Sequence, residues 1–424
     1  MKTAARFVLP CHPLPALAIV AITVMAPALV LAQPASLVES AATAVAATTA
    51  SEDENTEADT DEEKAPADAQ APTQPGADLP PPQPTTWETI FGPTRVSGTA
   101  DTYYAFNGNK PSSGQNILRN FDEKDNQFAV SYLEIAAEQV PTADRRLGFR
   151  ADIGFGPTAN WVNSLDPDDG TLRYLQQAYV SVLAPVGKGL QIDAGKFNTP
   201  IGAEPTETAN NWNYSRSLLF AWAAPYYHVG VRATLPVTDT VSVSGFLVNG
   251  WNNAQDNNRG KTMATQVTWK ALPSLTLSQA WMGGPEGPDG DEGWRNLFDT
   301  IATWTVTPRL SLMTNIDIGR DTIAGQTVAW HGVAAYGRFL VTPSWALTPR
   351  IEVFEDREGF ATGTTQTLRE LTLTSEHMLV RGLSIRLEYR RDWSTEEFFE
   401  YRDTGFRRHQ NTALVGFVYS FTTP

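Results

Sequence analysis

From Trp87 to the C-terminus the chain alternates apolar and polar residues with period two. Leu147, Phe149, Ala151, Ile153 and Phe155 alternate with Arg146, Gly148, Arg150, Asp152 and Gly154. Leu190, Ile192 and Ala194 alternate with Gln191, Asp193 and Gly195, and Val229, Val231, Ala233 and Leu235 with His228, Gly230, Arg232 and Thr234. Near the end, Leu383, Ile385, Leu387 and Tyr389 alternate with Ser384, Arg386, Glu388 and Arg390. Successive strand side chains point to opposite faces, so each run predicts a strand with one apolar face and one polar, often charged, face. Segments 128–139 and 173–184 alternate poorly, and the pattern does not orient their faces.

A soluble β-sandwich alternates too, with its apolar face inward, so the connections must discriminate. Short turns fall at 141–145, 185–189, 236–240, 271–274, 307–309, 342–344 and 380–382. Longer polar loops fall near 108–125, 156–172, 197–225, 250–261, 283–295, 320–326, 356–365 and 393–408. Seven short turns alternating with eight long loops give fifteen connections and sixteen strands. That asymmetry predicts an all-β transmembrane barrel, up-and-down and antiparallel, with short periplasmic turns, long extracellular loops and both termini periplasmic. Trp269, Trp281, Trp304, Trp345, Tyr389, Tyr419 and Phe421 lie near predicted strand ends, where aromatic girdles would stand.

The bulk composition alone would hide this architecture. Hydrophobic residues make up 42% and mean hydropathy is -0.27, as in a soluble protein. No stretch after residue 32 carries the ~20 apolar residues of a membrane helix. The start reads as a signal peptide over residues 1–32: Lys2 and Arg6, an apolar run at 16–30, and Val30-Leu31-Ala32 before Gln33. The alternative, a retained anchor, fits a short run containing Pro27 less well. Cys11 is the only cysteine and leaves with the signal, so no disulfide or thiol chemistry remains.

Charge divides the rest of the chain. The net charge is -15, but residues 33–86 carry eleven acids against Lys64 and nearly lack aromatics. Such a segment cannot bury enough apolar surface to order itself, and it is expected to be a disordered periplasmic stretch before a barrel spanning 87–424. No basic face favours nucleic acid.

The pattern carries no constellation of residues typical of an enzyme. His228, His331, His377 and His409 stand on separate strands or strand ends without metal-ligand spacing, and there is no G-x-S-x-G elbow or P-loop. His228 or His331 could supply the histidine of a barrel-borne hydrolase, but no serine accompanies either. Asp166, Asp168 and Asp169, and Asp289, Asp291 and Glu292, form acidic clusters in Gly/Pro-rich loops. Solvated turns explain these better than Ca²⁺ sites do. The expectation is no enzyme, no cofactor and no metal.

The polar strand faces are more informative. Arg386, Glu388, Arg390 and Asp392 are successive charged positions on one face, joined by Arg150, Asp152, Arg232, Asp317, Arg350 and Glu352. Unpaired charges in a dry core would cost several kcal/mol each, so these are expected to line a water-filled lumen. The third long loop, 198–225, is apolar at Leu218, Leu219, Phe220 and Trp222 yet carries Glu204, Glu207 and Arg216. Such a loop is expected to fold inward as a constriction, with its two glutamates facing the lumenal arginines.

Longer blocks carry a family resemblance over roughly residues 95–421. They include Gly148-Phe149-Arg150 through Gly154-Phe155-Gly156-Pro157, Leu175-Gln176-Gln177-Ala178-Tyr179-Val180-Ser181, and Gly195-Lys196-Phe197 with Thr199-Pro200-Ile201-Gly202-Ala203-Glu204. They continue with Asn211-Trp212-Asn213-Tyr214-Ser215-Arg216-Ser217-Leu218-Leu219-Phe220, Asn249-Gly250-Trp251-Asn252, and Leu387-Glu388-Tyr389-Arg390-Arg391-Asp392-Trp393-Ser394. In combination the sequence resembles the OmpL-like β-barrel porins of Gram-negative bacteria. The resemblance implies an outer-membrane pore for passive diffusion of small polar solutes and ions. It extends neither to the acidic stretch nor to the residues after Phe421. Expected partners are outer-membrane lipid, lipopolysaccharide and small polar solutes, with a homo-oligomer left open. Two other readings compete: a structural or adhesive surface barrel with a closed pore, and a soluble secreted β-protein.

Overall fold

The computed structural model describes residues 92–166, 172–287 and 293–423. The expected signal peptide and acidic stretch lie outside the described residues, as do Asp168, Asp169, Asp289, Asp291 and Glu292. The first half of the wall is β1 (Arg95–Asn107), β2 (Gln127–Gln139), β3 (Leu147–Phe155), β4 (Leu175–Ala184), β5 (Leu190–Asn198), β6 (Tyr227–Pro236), β7 (Val241–Val248) and β8 (Thr262–Leu272). The second half is β9 (Leu275–Gly284), β10 (Arg295–Thr307), β11 (Leu310–Ile323), β12 (Gln326–Thr342), β13 (Trp345–Asp356), β14 (Gln366–Val380), β15 (Leu383–Ser394) and β18 (His409–Thr422). These sixteen strands pair with their chain neighbours throughout, and β1 closes on β18 from Ser97↔Thr422 to Asn107↔Thr412. A small hairpin, β16 (Phe399–Tyr401) with β17 (Gly405–Arg407), rises from the last long loop. A short helix, α1 (Pro157–Val162), sits in the second.

One connection corrects the sequence reading. The expected loop at 320–326 is a two-residue turn at Ala324 and Gly325, both with positive φ (49° and 75°). That geometry matches the twist of a hairpin, so Asp321, Thr322 and Ile323 stay in register with Val328, Thr327 and Gln326. Short and long connections therefore do not strictly alternate, although the strand count stands.

The two poorly alternating segments have a specific cause. In β2 the register against β1 slips, so that Asp101 faces Tyr132 while Thr102 faces Val130, leaving Ser131 as an extra residue. In β4, Asp152 faces Gln177 while Ile153 faces Leu175, leaving Gln176 extra. Each bulge inverts the parity of side chains on either side of it.

The wall is turned inside out relative to a soluble barrel. Leu133, Ile135, Ile153, Val231, Leu247, Ile318, Val333, Ile351, Leu373 and Leu387 are exposed on the outer face, whereas Asp152, Asp193, Asp317, Arg350, Glu388 and Arg390 are buried inside. An apolar outer band is what a lipid environment stabilises. Aromatic residues flank it. Trp269, Trp304, Tyr419 and Phe421 are exposed toward the short-turn end, and Phe128, Phe155, Phe298 and Tyr389 toward the long-loop end. Trp281 and Trp345 are only half-exposed; Trp345 stacks on His377 and donates to Ser375 Oγ.

Candidate functional site

The interior is occupied by the third long loop, 199–226, between β5 and β6. Its apolar part behaves as hydrophobicity demands. Leu218, Leu219 and Ala223 are buried against Trp330, Ala334, Tyr336, Phe354 and Leu368 of the wall. A short π-helix, Leu219–Ala223, ends with Trp330 Nε1 donating to the carbonyl of Ala223 (3.0 Å). Two wall glycines make room for the loop. A Cβ at Gly332 would lie 2.5 Å from Leu219 Cδ2, and one at Gly416 would lie 2.4 Å from the Tyr214 ring. Burial pushes the Tyr226 hydroxyl up to about 12, so it stays protonated and donates to the Ala221 carbonyl (2.8 Å).

Between these apolar contacts, the charged inner face of β13, β14 and β15 grips the loop backbone. Arg350 is the centre of the grip. Its guanidinium donates to the Ser215 carbonyl (2.7 Å) and the Arg216 carbonyl (3.2 Å), and reaches Glu204 (3.0 Å), Glu352 (3.1 Å) and Glu370 (3.0 Å). Glu388 accepts the backbone N–H of Tyr214 (2.7 Å) and of Ser215 (3.0 Å), and Glu352 accepts that of Leu218 (2.8 Å). Arg386 donates to the carbonyls of Thr208 (2.8 Å) and Asn213 (3.0 Å) while pairing with Glu376 (2.7 Å). Arg390 donates to the Arg216 carbonyl (2.6 Å) and pairs with Asp392 (2.8 Å). An irregular loop has no ladder of its own, and its buried N–H and C=O groups need partners. Charged side chains supply strong ones.

This changes the expected role of the charged stripe. All nine side chains read as pore-lining, Arg150, Asp152, Arg232, Asp317, Arg350, Glu352, Arg386, Glu388 and Arg390, project inward. Open water does not surround them. Arg350, Arg386 and Arg390 are 0%, 2% and 1% exposed, sealed beneath the loop. The reason is that the loop's backbone carbonyls and amides solvate them in place of water, while neighbouring carboxylates balance the arginines' charge. Arg150 alone keeps substantial access, its side chain being 27% exposed where it meets Asp152 and Glu138 near the short-turn end.

The three expected constriction residues part company. Glu204 pairs with Arg350 and accepts the Ser217 N–H (2.7 Å). Arg216 forms no ion pair among the described residues, although Asp101 and Glu204 lie close enough to attract it, and it donates to loop carbonyls, among them Pro205 (3.2 Å) and Tyr214 (2.5 Å). Glu207 meets no arginine among the described residues. Its carboxylate sits near the wall acids Glu134 and Asp152 and repels both. On that wall, Asp152 is held by Arg150 (2.8 Å) and Asp193 by Arg232 (2.7 Å), while Glu134 accepts the Tyr132 hydroxyl (2.6 Å) and has no ion pair among the described residues.

Several participants escaped the sequence reading. Glu370 and Glu376 alternate with Leu371 and Leu373 in β14, so their inward face was readable there. Asp101, which accepts the Tyr214 hydroxyl (3.3 Å) and the Thr208 hydroxyl, had no such signal. Of the weighed acidic clusters, Asp166 is described, and it pairs with Lys196 (2.8 Å). Among the described residues no group of three or more His, Cys, Asp or Glu could hold a metal. His228 lies inside the wall, 3.0 Å from both the Gly250 carbonyl and Thr199 Oγ1, whereas His331 lies on the outer face against Glu355 (2.7 Å).

The sequence profile of a family described as "Putative beta-barrel porin-2, OmpL-like" matches residues 93–421. No curated protein matches the sequence. Among solved structures, the barrel resembles an anion-selective porin from Comamonas acidovorans (TM-score 0.54, 10% identity, 77% of this chain and 99% of that one). It also resembles OmpF of Salmonella typhi in complex with daunomycin (TM-score 0.52, 13% identity, 77% and 97%). A third likeness is to in-vitro folded OmpT of Vibrio cholerae in its trimer form (TM-score 0.51, 14% identity, 77% and 99%). At these identities the likeness is one of fold.

Proposed function

Because the chain belongs to the OmpL-like beta-barrel porin family and is an outer-membrane porin, we propose that loop 199–226 sets the constriction of its channel and that the passage favours small cations and polar solutes. The observation that carries this is the asymmetry of the loop. Its backbone is clamped to β13–β15, while Glu207 stands toward β2 and β3 with no basic partner, close to Glu134. Solutes then pass between the loop and the β2–β6 wall. There Arg150 and Arg232 are each cancelled by a neighbouring aspartate, leaving Glu207 as the carboxylate without a basic partner among the described residues. Fixed charge in a narrow lumen acts within a Debye length of ~8 Å and selects ions by sign.

The same reading makes the chain a channel and not an enzyme. It also places lipid and lipopolysaccharide against the outer band and allows a homo-oligomer. The test is single-channel recording in a planar bilayer under a KCl gradient. Wild type is expected to give a cation-selective reversal potential, reduced in Glu207→Gln, and deletion of residues 206–223 is expected to raise conductance. An anion-selective potential refutes the charge assignment. Absence of conductance steps in both wild type and the loop deletion favours the closed surface barrel.

A further inference from the structure

The outer face of the barrel is apolar through its middle and carries a cluster of arginines at the long-loop end of three neighbouring strands. On β14, β15 and β18 the register rows run Leu373–Tyr389–Ala413, then Leu371–Arg391–Asn411, then Arg369–Trp393–His409, moving toward the long-loop end. Leu373, Leu371 and Tyr389 belong to the exposed outer band. Arg391 and Arg369 are exposed on that same face, in the next rows. They occupy diagonal positions on neighbouring strands, within about 7–8 Å of each other. Arg407 and Arg408, both exposed, precede β18 beside them, and Arg391 and Arg407 both act electrostatically on His409.

Like charges so placed repel, and no ion pair among the described residues compensates Arg369 or Arg391. Arg369 makes no ion pair or hydrogen bond among the described residues. Arg391 reaches only the Asn411 side-chain oxygen (3.4 Å) and the Trp393 ring (5.7 Å). The nearest rim acid on β13, Glu355, is engaged by Arg357 (3.1 Å) and His331 (2.7 Å). No ion pair among the described residues joins Glu396 or Glu397 to the cluster. An arginine on the lipid face costs little at the interface and more toward the midplane, so these positions mark the headgroup level. There, guanidinium forks match phosphate oxygens two at a time, and Trp393 and Tyr389 are suited to the lipid–water boundary.

We infer that Arg369 and Arg391, with Arg407 and Arg408 above them, form a binding site for a phosphate-bearing lipid headgroup of the outer leaflet, the chemistry that lipopolysaccharide presents. The inference rests on the outer-membrane location and is independent of how the pore is constricted. The test uses the full-length protein in phosphatidylcholine nanodiscs doped with bisphosphorylated lipid A, with bound lipid counted by native mass spectrometry. Each interfacial cation contributes about a factor of five to anionic-lipid binding, so Arg369→Gln/Arg391→Gln is expected to bind lipid A roughly thirtyfold more weakly. Arg381→Gln, exposed in a short turn at the other end, is expected to bind as wild type does. Dephosphorylated lipid A should show no difference between wild type and the double variant, and inorganic phosphate should not displace the lipid. Equal lipid A retention by the double variant, displacement by inorganic phosphate, or a change in oligomer mass without a change in lipid count would each overturn the assignment. Because both side chains are exposed, unchanged heat-modifiable migration is expected to confirm that the variant barrel is intact.

Discussion

Replacing Arg350 with Gln tests whether the charged stripe holds the loop. The substitution removes the guanidinium's bonds to the carbonyls of Ser215 and Arg216 and its ion pair with Glu204. It also leaves Glu352 and Glu370 facing each other on neighbouring strands without the cation between them. Removing one partner of a buried ion pair costs about 3–5 kcal/mol. The wall's own hydrogen-bond ladder is untouched, so the cost falls on the loop's attachment and not on barrel closure. A loss of that size raises the population of a locally detached loop by about two to four orders of magnitude. The amides of Tyr214, Ser215 and Leu218 report it directly, because they donate to Glu388 and Glu352. Hydrogen–deuterium exchange of the detergent-solubilised protein should show these amides exchanging a hundredfold or more faster, with Val241–Val248 of β7 unchanged. Arg350→Lys, which keeps a point charge but loses the fork, should fall between. If Tyr214, Ser215 and Leu218 stay as protected in Arg350→Gln as in wild type, the loop is held by its apolar contacts and not by the charged stripe.

Gly416→Val should displace the Tyr214 ring, since the glycine position is filled by that ring; accelerated exchange at Tyr214 with a normal folded band on gels is the expected outcome. Asp317→Asn should raise the unfolding temperature at alkaline pH, because Asp299 and Asp317 are buried cross-strand partners whose Oδ2 atoms both lack a donor. An added amide donor is worth about 1–3 kcal/mol, and a lower temperature would contradict that reading. Cysteine at position 386 or 390 should resist small water-soluble thiol reagents until residues 206–223 are deleted, whereas cysteine at position 150 should react in the intact protein. Deleting residues 33–86 should leave insertion and heat-modifiability intact, as their composition implies; loss of the folded barrel would show that the segment is structural.

The sequence by itself determined the wall. Period-two alternation is local, and so is turn chemistry, so strand number, the apolar outer face and the inward direction of Arg150, Arg232, Arg350, Arg386 and Arg390 could all be read along the chain. Even the loop's inward course was legible, because Leu218, Leu219, Phe220 and Trp222 cannot be left in water without cost. Where the local signal failed, the cause was also local but needed a partner strand to reveal it. Ser131 and Gln176 are bulge residues only in relation to β1 and β3, and Ala324-Gly325 makes a tight turn only because Asp321–Ile323 find ladder partners. What tertiary structure alone decided is which charges meet water. A stripe of Arg and Glu looks the same in sequence whether it lines a pore or binds a loop, because desolvation and pairing depend on groups more than a hundred residues away. Arg350 is dry since Ser215 and Arg216 bring their carbonyls to it, and Glu207 is left uncompensated since the same clamp turns the loop's other face toward β2 and β3.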